Sequence, residues 1–174
     1  MEKVSLEKIA TGETFKIGDY EFIVLEHLDD TTAVILKDRL VELAQFGENN
    51  NYAGSNVDRI CIEFGKTVEA LVGEGNLTLH IVDLTSDDGL KEYGTVERFM
   101  SLITCDMYRR YGEILDKYKL DDYWWLATPF STPRRGDDFF VKSVESNGCI
   151  GLDSARDSEG VRPFCILKSD IILS

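Results

Sequence analysis

Basic residues are scarce in this chain. Nineteen Lys and Arg stand against 32 Asp and Glu, for a formal net charge of -13. So acidic a chain has little with which to displace counterions from a phosphate backbone, and direct binding to nucleic acid is not expected. The same acidity favours encounter with a basic protein, and it also serves solubility alone. Long apolar runs are missing as well. None approaches the roughly twenty residues that cross a bilayer, so no membrane partner is expected. Met1-Glu2-Lys3-Val4-Ser5 opens a mixed polar run rather than a basic start ahead of an apolar stretch, which points to a cytoplasmic setting.

Paired cysteines are absent too. Cys61, Cys105, Cys149 and Cys165 are far apart and form no C-x-x-C, which excludes a zinc ribbon or a thioredoxin-type centre. Buried free thiols are expected. Histidine is limited to His27 and His80, each inside an apolar strand pattern with no Ser or Cys motif beside it, so nucleophilic catalysis finds no constellation. Gly73-Glu74-Gly75 lacks the third glycine and the preceding strand of a nucleotide fingerprint. Asp83, Asp87 and Asp88 lack the closing Glu of a calcium loop and read as a solvated turn. No catalytic residue, metal or cofactor is assigned.

What is present is enough for one domain spanning residues 1–174, with 43% hydrophobic and 29% charged residues. Thr14–Ile17, Tyr20–His27 and Thr31–Lys37 are β-branched or aromatic runs separated by Gly18-Asp19 and Asp29-Asp30, a β-meander. Gly47–Asn56 is a polar loop whose Ser55 or Asn56 caps a helix from Val57 to about Phe64, with a short helical piece over Thr67–Val72 before Gly73. Thr104 caps the clearest helix, carrying Met107, Tyr108, Tyr111, Ile114 and Leu115 at helical spacing. From Trp124 onward the pattern returns to strands: Phe139–Val144, Cys149–Leu152, Arg162–Leu167 and Ile171–Leu173. The expected class is α+β, with an N-terminal β-meander, one or two helices and a C-terminal antiparallel sheet.

Two late strings are the most informative: Trp124-Trp125-Leu126-Ala127-Thr128-Pro129 and Gly160-Val161-Arg162-Pro163. With Ser101–Tyr111, Val82–Gly89 and Ile17-Gly18-Asp19, they resemble a C-type-lectin-like domain family of unknown function from Firmicutes and their phages, over nearly the whole chain. That family is distantly similar to formylglycine-generating enzymes and to retroelement-diversified variable proteins. The resemblance implies a C-type-lectin-like fold, a bacterial host cell or virion as the setting, and no assigned catalytic residue. It also implies a ligand-facing segment between the two strings.

Adjacent Trp124 and Trp125 on a strand point to opposite faces, one into the core and one under the surface loops. Pro129 ends that strand. Gly160 permits a sharp turn into the last strands, where Arg162, beside Pro163, folds back to bond loop carbonyls or a buried acid. Between the strings, Arg134, Arg135, Asp137, Asp138, Asp153, Arg156, Asp157 and Glu159 are the candidate exposed side chains of a protein-binding surface running from Ser131 to Glu159. The leading expectation is a non-enzymatic module that recognises a protein partner, phage- or prophage-encoded by the resemblance. The first alternative is an acidic inhibitor of a nucleic-acid-handling host defence enzyme, by nucleic-acid mimicry. The second is a formylglycine-generating-type oxidase, whose cysteine pair would be Cys149 and Cys165. Both of those cysteines lie in apolar runs that favour buried, inert thiols.

Overall fold

A computed structural model describes residues 3–173; Met1 and Glu2 of the polar opening run, and Ser174, lie outside them. Strand outweighs helix, 37% to 21%, and the class is α+β. Among the described residues no helix is long and apolar enough to cross a membrane.

The N-terminal half supplies β1 (Val4–Ser5), β2 (Thr14–Ile17), β3 (Tyr20–His27), β4 (Thr31–Leu36) and β5 (Val41–Gln45), then α1 (Asn56–Val72). The expected meander is β2-β3-β4, paired antiparallel in sequence order. The Ser55 hydroxyl accepts the Asp58 N–H at 3.1 Å and caps α1. The helix runs unbroken through residues 65–67, where two pieces were expected. Its buried stripe of Val57, Cys61, Phe64, Gly65 and Val68 explains the continuity. A Cβ at Gly65 would stand 3.0 Å from Met100 Cβ, so glycine lets the helix settle onto the neighbouring strand.

Short strands follow: β6 (Leu77–Thr78), β7 (His80–Asp83), β8 (Thr95–Arg98) and β9 (Met100–Ser101). Thr104 caps α2 (Cys105–Arg110) by accepting the Met107 N–H at 3.3 Å. The single helix expected here breaks at Tyr111 and resumes as α3 (Gly112–Leu115). The chain ends with β10 (Trp124–Pro129), β11 (Phe140–Val144), β12 (Ile150–Ser154), β13 (Ser158–Val161), β14 (Phe164–Lys168) and β15 (Ile172–Leu173).

Two larger sheets organise the molecule. One runs β2-β3-β4-β14-β6, with β9 also on β14; the other runs β12-β11-β10-β13-β5. The second corrects the expected all-antiparallel C-terminal sheet, because β10 and β13 pair in parallel at Trp124 and Gly160. Gly160 is correspondingly not at a turn. It sits inside β13, and a side chain there would collide with the stem of Arg39 lying across it. The Arg162–Leu167 run is also corrected, since Arg162 and Pro163 carry the chain from one sheet into the other.

Trp124 and Trp125 take opposite faces, and both are buried. Trp125 joins the core that packs against α1, with Phe46 edge-on at 5.5 Å and its indole N–H donating to Ala44 O at 2.8 Å. Trp124 joins a second core under α2, with Tyr108 at 5.8 Å. Arg162, only 1% exposed, stands with its guanidinium carbon 5.1 Å from the Trp124 ring. It donates to Leu36 O at 2.8 Å, Lys37 O at 2.7 Å and Tyr118 O at 3.1 Å. The guanidinium folds back onto backbone carbonyls, two of them outside the strands and one, Leu36 O, at the end of β4.

Candidate binding surface

Beyond Pro129 the chain leaves the sheet, crosses a loop and returns as β11. Pro133–Arg135 forms a single 3₁₀ turn, closed by Gly136 at φ 76, a left-handed conformation that suits glycine. The Asp137 carboxylate accepts the Phe139 and Phe140 N–H groups at 2.9 and 3.1 Å, so it is committed inside the loop. Asn50 holds this loop from beneath. Its amide donates to Ser131 O at 3.0 Å and Phe140 O at 3.1 Å, and its backbone N–H donates to Asp138 O at 2.8 Å. Its side-chain oxygen accepts the Tyr93 hydroxyl at 2.6 Å. A fully buried asparagine with this many partners fixes loop geometry more strictly than loop length would suggest.

Three aromatic rings stand out on the fixed loop. Phe130, Phe139 and Phe140 are all exposed, Phe139 by 53%. Phe130 and Phe140 meet edge-on at 6.4 Å, and the Lys142 ammonium lies 5.7 Å from the Phe130 ring. Leu152, opposite Lys142 across the β11–β12 pair, is exposed as well. Exposed aromatics on a rigid support, flanked by arginine, have the composition of interface hot spots. In the sequence, Phe139 and Phe140 read as ordinary strand residues. The usable signal was Lys142, which shares a strand face with Phe140 and so marks that face as wet.

The eight candidate side chains part company. The Arg135 guanidinium pairs with the Asp88 carboxylate at 2.9 Å, not with Asp137 or Asp138. Asp88 also accepts the Ser131 and Ser86 hydroxyls. Against its partial burial, these bonds and Arg135 hold it down at about 2. The Asp157 carboxylate accepts the Ser154 N–H at 3.2 Å within the β12–β13 turn, and Asp153 accepts the Ser143 hydroxyl at 2.9 Å. Arg134, Asp138 and Arg156 keep side chains without a bonded partner among the described residues, and Arg134 and Arg156 are exposed. Glu159 is the correction. It lies in β13, beside Ala44 of β5, and is buried rather than displayed on a loop.

Acids gather around it. Burial, then Asp153, Asp122 and Asp157, push the Glu159 carboxyl up to about 7. Burial raises Asp153 as well, with Asp157 and Glu145 adding to it against the Ser143 bond. An acid whose folded value exceeds its ordinary 4.5 binds its proton more tightly in the folded chain. Its contribution is therefore full at low pH and is lost as pH climbs from 4.5 through about 7. Glu159→Gln is expected to flatten that decline in urea-unfolding free energy and to leave the variant the more stable protein at neutral pH.

Elsewhere, the expected acidic turn uses its carboxylates internally: Asp83 accepts the Thr85 hydroxyl, and Asp87 pairs with Arg109 and Lys142. No group of three or more His, Cys, Asp or Glu among the described residues is arranged to hold a metal ion. Cys149 is exposed, against the expectation of burial, while Cys61, Cys105 and Cys165 are buried. The proposed thiol pair is divided between the β11–β12 hairpin and the centre of the six-stranded sheet, where burial pushes the Cys165 thiol up. His80 Nε2 lies 2.7 Å from the Ser101 hydroxyl, yet that hydroxyl donates to Leu102 O and both residues are buried. Burial lowers His80 to about 4, so this pair is packed as core rather than opened to a substrate.

No family model matches the chain, and neither the curated proteins nor the solved structures contain a match.

Proposed function

We propose that the surface from Phe130 to Glu159 is the binding face of a non-enzymatic module that recognises a protein partner, on a fold of the C-type-lectin-like type. The observation that carries this reading is the triad of exposed Phe130, Phe139 and Phe140 on a loop that buried Asn50 pins in place, with exposed Arg134 on the same loop, its side chain without a bonded partner among the described residues. Pre-organisation matters here, because a loop already fixed loses little entropy on binding. The Trp124-Trp125 pair and Arg162 supply the stiff body beneath it. The family resemblance adds a phage or prophage origin and a bacterial cytoplasm or virion as the place of action.

The test is truncation of the face. Phe139→Ala and Arg134→Ala, both at exposed positions, are expected to weaken partner capture by about tenfold or more each, as central hot spots do. Melting temperature should stay unchanged. Capture that survives both substitutions at full strength would sink the reading.

A second reading has its own support. Asp122, Glu145, Asp153, Asp157 and Glu159 are neighbours rather than scattered acids, as an inhibitor occupying the basic groove of a nucleic-acid-handling enzyme requires. Capture that collapses with added salt and competes with DNA or RNA would favour it over the aromatic face.

A further inference from the structure

Glu159 carries a carboxylate that nothing in the fold answers. It is only 9% exposed. Among the described residues no hydrogen-bond donor or cation acts on it, and the charges that do are Asp153, Asp122 and Asp157. Buried carboxylates are ordinarily paired or richly hydrogen-bonded, since desolvation penalises the bare charge.

The strand register shows how the acids converge. Trp124 stands beside Gly160 of β13 and opposite Val144 of β11. One residue back along β10, Tyr123 is therefore flanked by Glu159 on one side and Glu145 on the other. The Glu145 side chain folds over Gly151 of β12, beside the Ser143 hydroxyl that bonds Asp153. Asp122 enters from the chain before β10, and Asp157 from the turn before β13. From β5 the facing residue is Ala44, which has no charge to offer. The Tyr123 hydroxyl feels Glu145, Asp153, Glu159 and Asp122, and no cation.

We propose that Glu159, with Asp153, Asp122, Asp157 and Glu145 around it, is a subsite for one basic side chain, an arginine or a lysine, presented by the protein partner. The site rests on the reading of this surface as protein-binding and states what the partner brings to it. A single cation placed there supplies the missing counter-charge to a carboxylate that the fold largely shields from water, where a charge-assisted hydrogen bond is stronger than in open solvent. Binding then displaces the proton that Glu159 otherwise holds, so affinity rises with pH.

The probes are Nα-acetyl-arginine amide and Nα-acetyl-lysine amide, with Nα-acetyl-glutamine amide as the neutral control. Each is titrated into the full chain and followed by backbone amide chemical shifts. Saturable shifts centred on Tyr123, Glu145, Asp153 and Asp157–Gly160 are expected for a basic probe, and which of the two binds more tightly assigns the guanidinium or the ammonium. Glu159→Gln, a change of nearly equal shape, should abolish saturation while the rest of the spectrum stays folded; Asp153→Asn should weaken it. Affinity for the basic probe should strengthen about tenfold between about pH 6 and about pH 8 in the parent and not in Glu159→Gln. Shifts that never saturate, that match the glutamine control, or that persist in Glu159→Gln would overturn the site. Failure here is separable from failure of the binding face. Partner capture lost with Phe139→Ala but untouched by Glu159→Gln, with no probe binding, leaves the face standing and removes the cation subsite. Probe binding lost only with Glu159→Gln supports the subsite even where the alanine variants leave capture intact.

Discussion

Replacing Arg162 by Met is expected to destabilise the protein by about 3–5 kcal/mol, read as a fall in urea midpoint at constant slope. Met retains much of the volume and apolar stem, so the loss isolates the guanidinium. Three carbonyls, of Leu36, Lys37 and Tyr118, lose their donor at once, and each buried carbonyl left unpaired costs about 1–3 kcal/mol. Those carbonyls belong to the end of β4, the residue after it and the 3₁₀ turn that follows α3, so one side chain ties two separate segments to the crossing between the sheets. Burial draws the Arg162 pKa down to about 10, against the pull of Asp38 and Tyr108, which leaves the group charged at neutral pH. Arg162→Lys should also lose at least about 2 kcal/mol, since a compact ammonium does not reproduce a planar fork. For a domain with about 5–15 kcal/mol in total, the Met variant sits near the edge of folding. A loss under about 1 kcal/mol would mean that the crossing is held by something else.

Arg98→Ala is expected to cost a similar amount, about 3–5 kcal/mol, for a different reason. Asp58 is fully buried near the start of α1, and its two oxygens accept Arg98 Nε at 2.9 Å and a terminal guanidinium nitrogen at 2.8 Å. The Gly54 N–H adds a third bond at 2.9 Å. Removing Arg98 strands a carboxylate in the core, whereas the pair itself contributes little net stability once desolvation is counted. Arg98→Leu combined with Asp58→Asn should therefore recover much of the loss. A double-mutant cycle in urea checks this; additive penalties would contradict the pairing argument.

These two anchors differ in how far the sequence revealed them. Arg162 was legible, because an arginine set directly before a proline at the end of a strand has few uses other than folding back. Trp124 and Trp125 were legible from strand alternation alone, and the N-terminal meander from its turn residues. Thr104 declared itself as a cap through the Asp at the second helical position. Asp58–Arg98 was not legible, since the partners lie forty residues apart on elements whose packing no local pattern encodes. The same limit hid the parallel β10–β13 pair. It made Gly160 look like a turn and carried Glu159 from an expected loop into a strand. Asn50 was hidden differently: it sits in a run of turn-forming residues where asparagine is unremarkable, and the carbonyls its amide bonds are more than eighty residues away in sequence. Of the candidate surface, the arginines and acids were visible as charges. Whether each was free or already bonded depended on Asp88 and Ser143, which only the folded chain brings near, and on the local turn that sets Ser154 against Asp157.

The binding face can be interrogated at a single ring. With p-benzoylphenylalanine in place of Phe139, and in a separate protein in place of Leu43, an equally exposed residue on β5 at the far edge of the same sheet, photolysis in the cell should produce one discrete cross-linked protein from position 139 and none from position 43. Equal cross-linking from both positions, or a discrete product from position 43 alone, would contradict the assignment of the Phe130–Glu159 surface as the side that meets a partner.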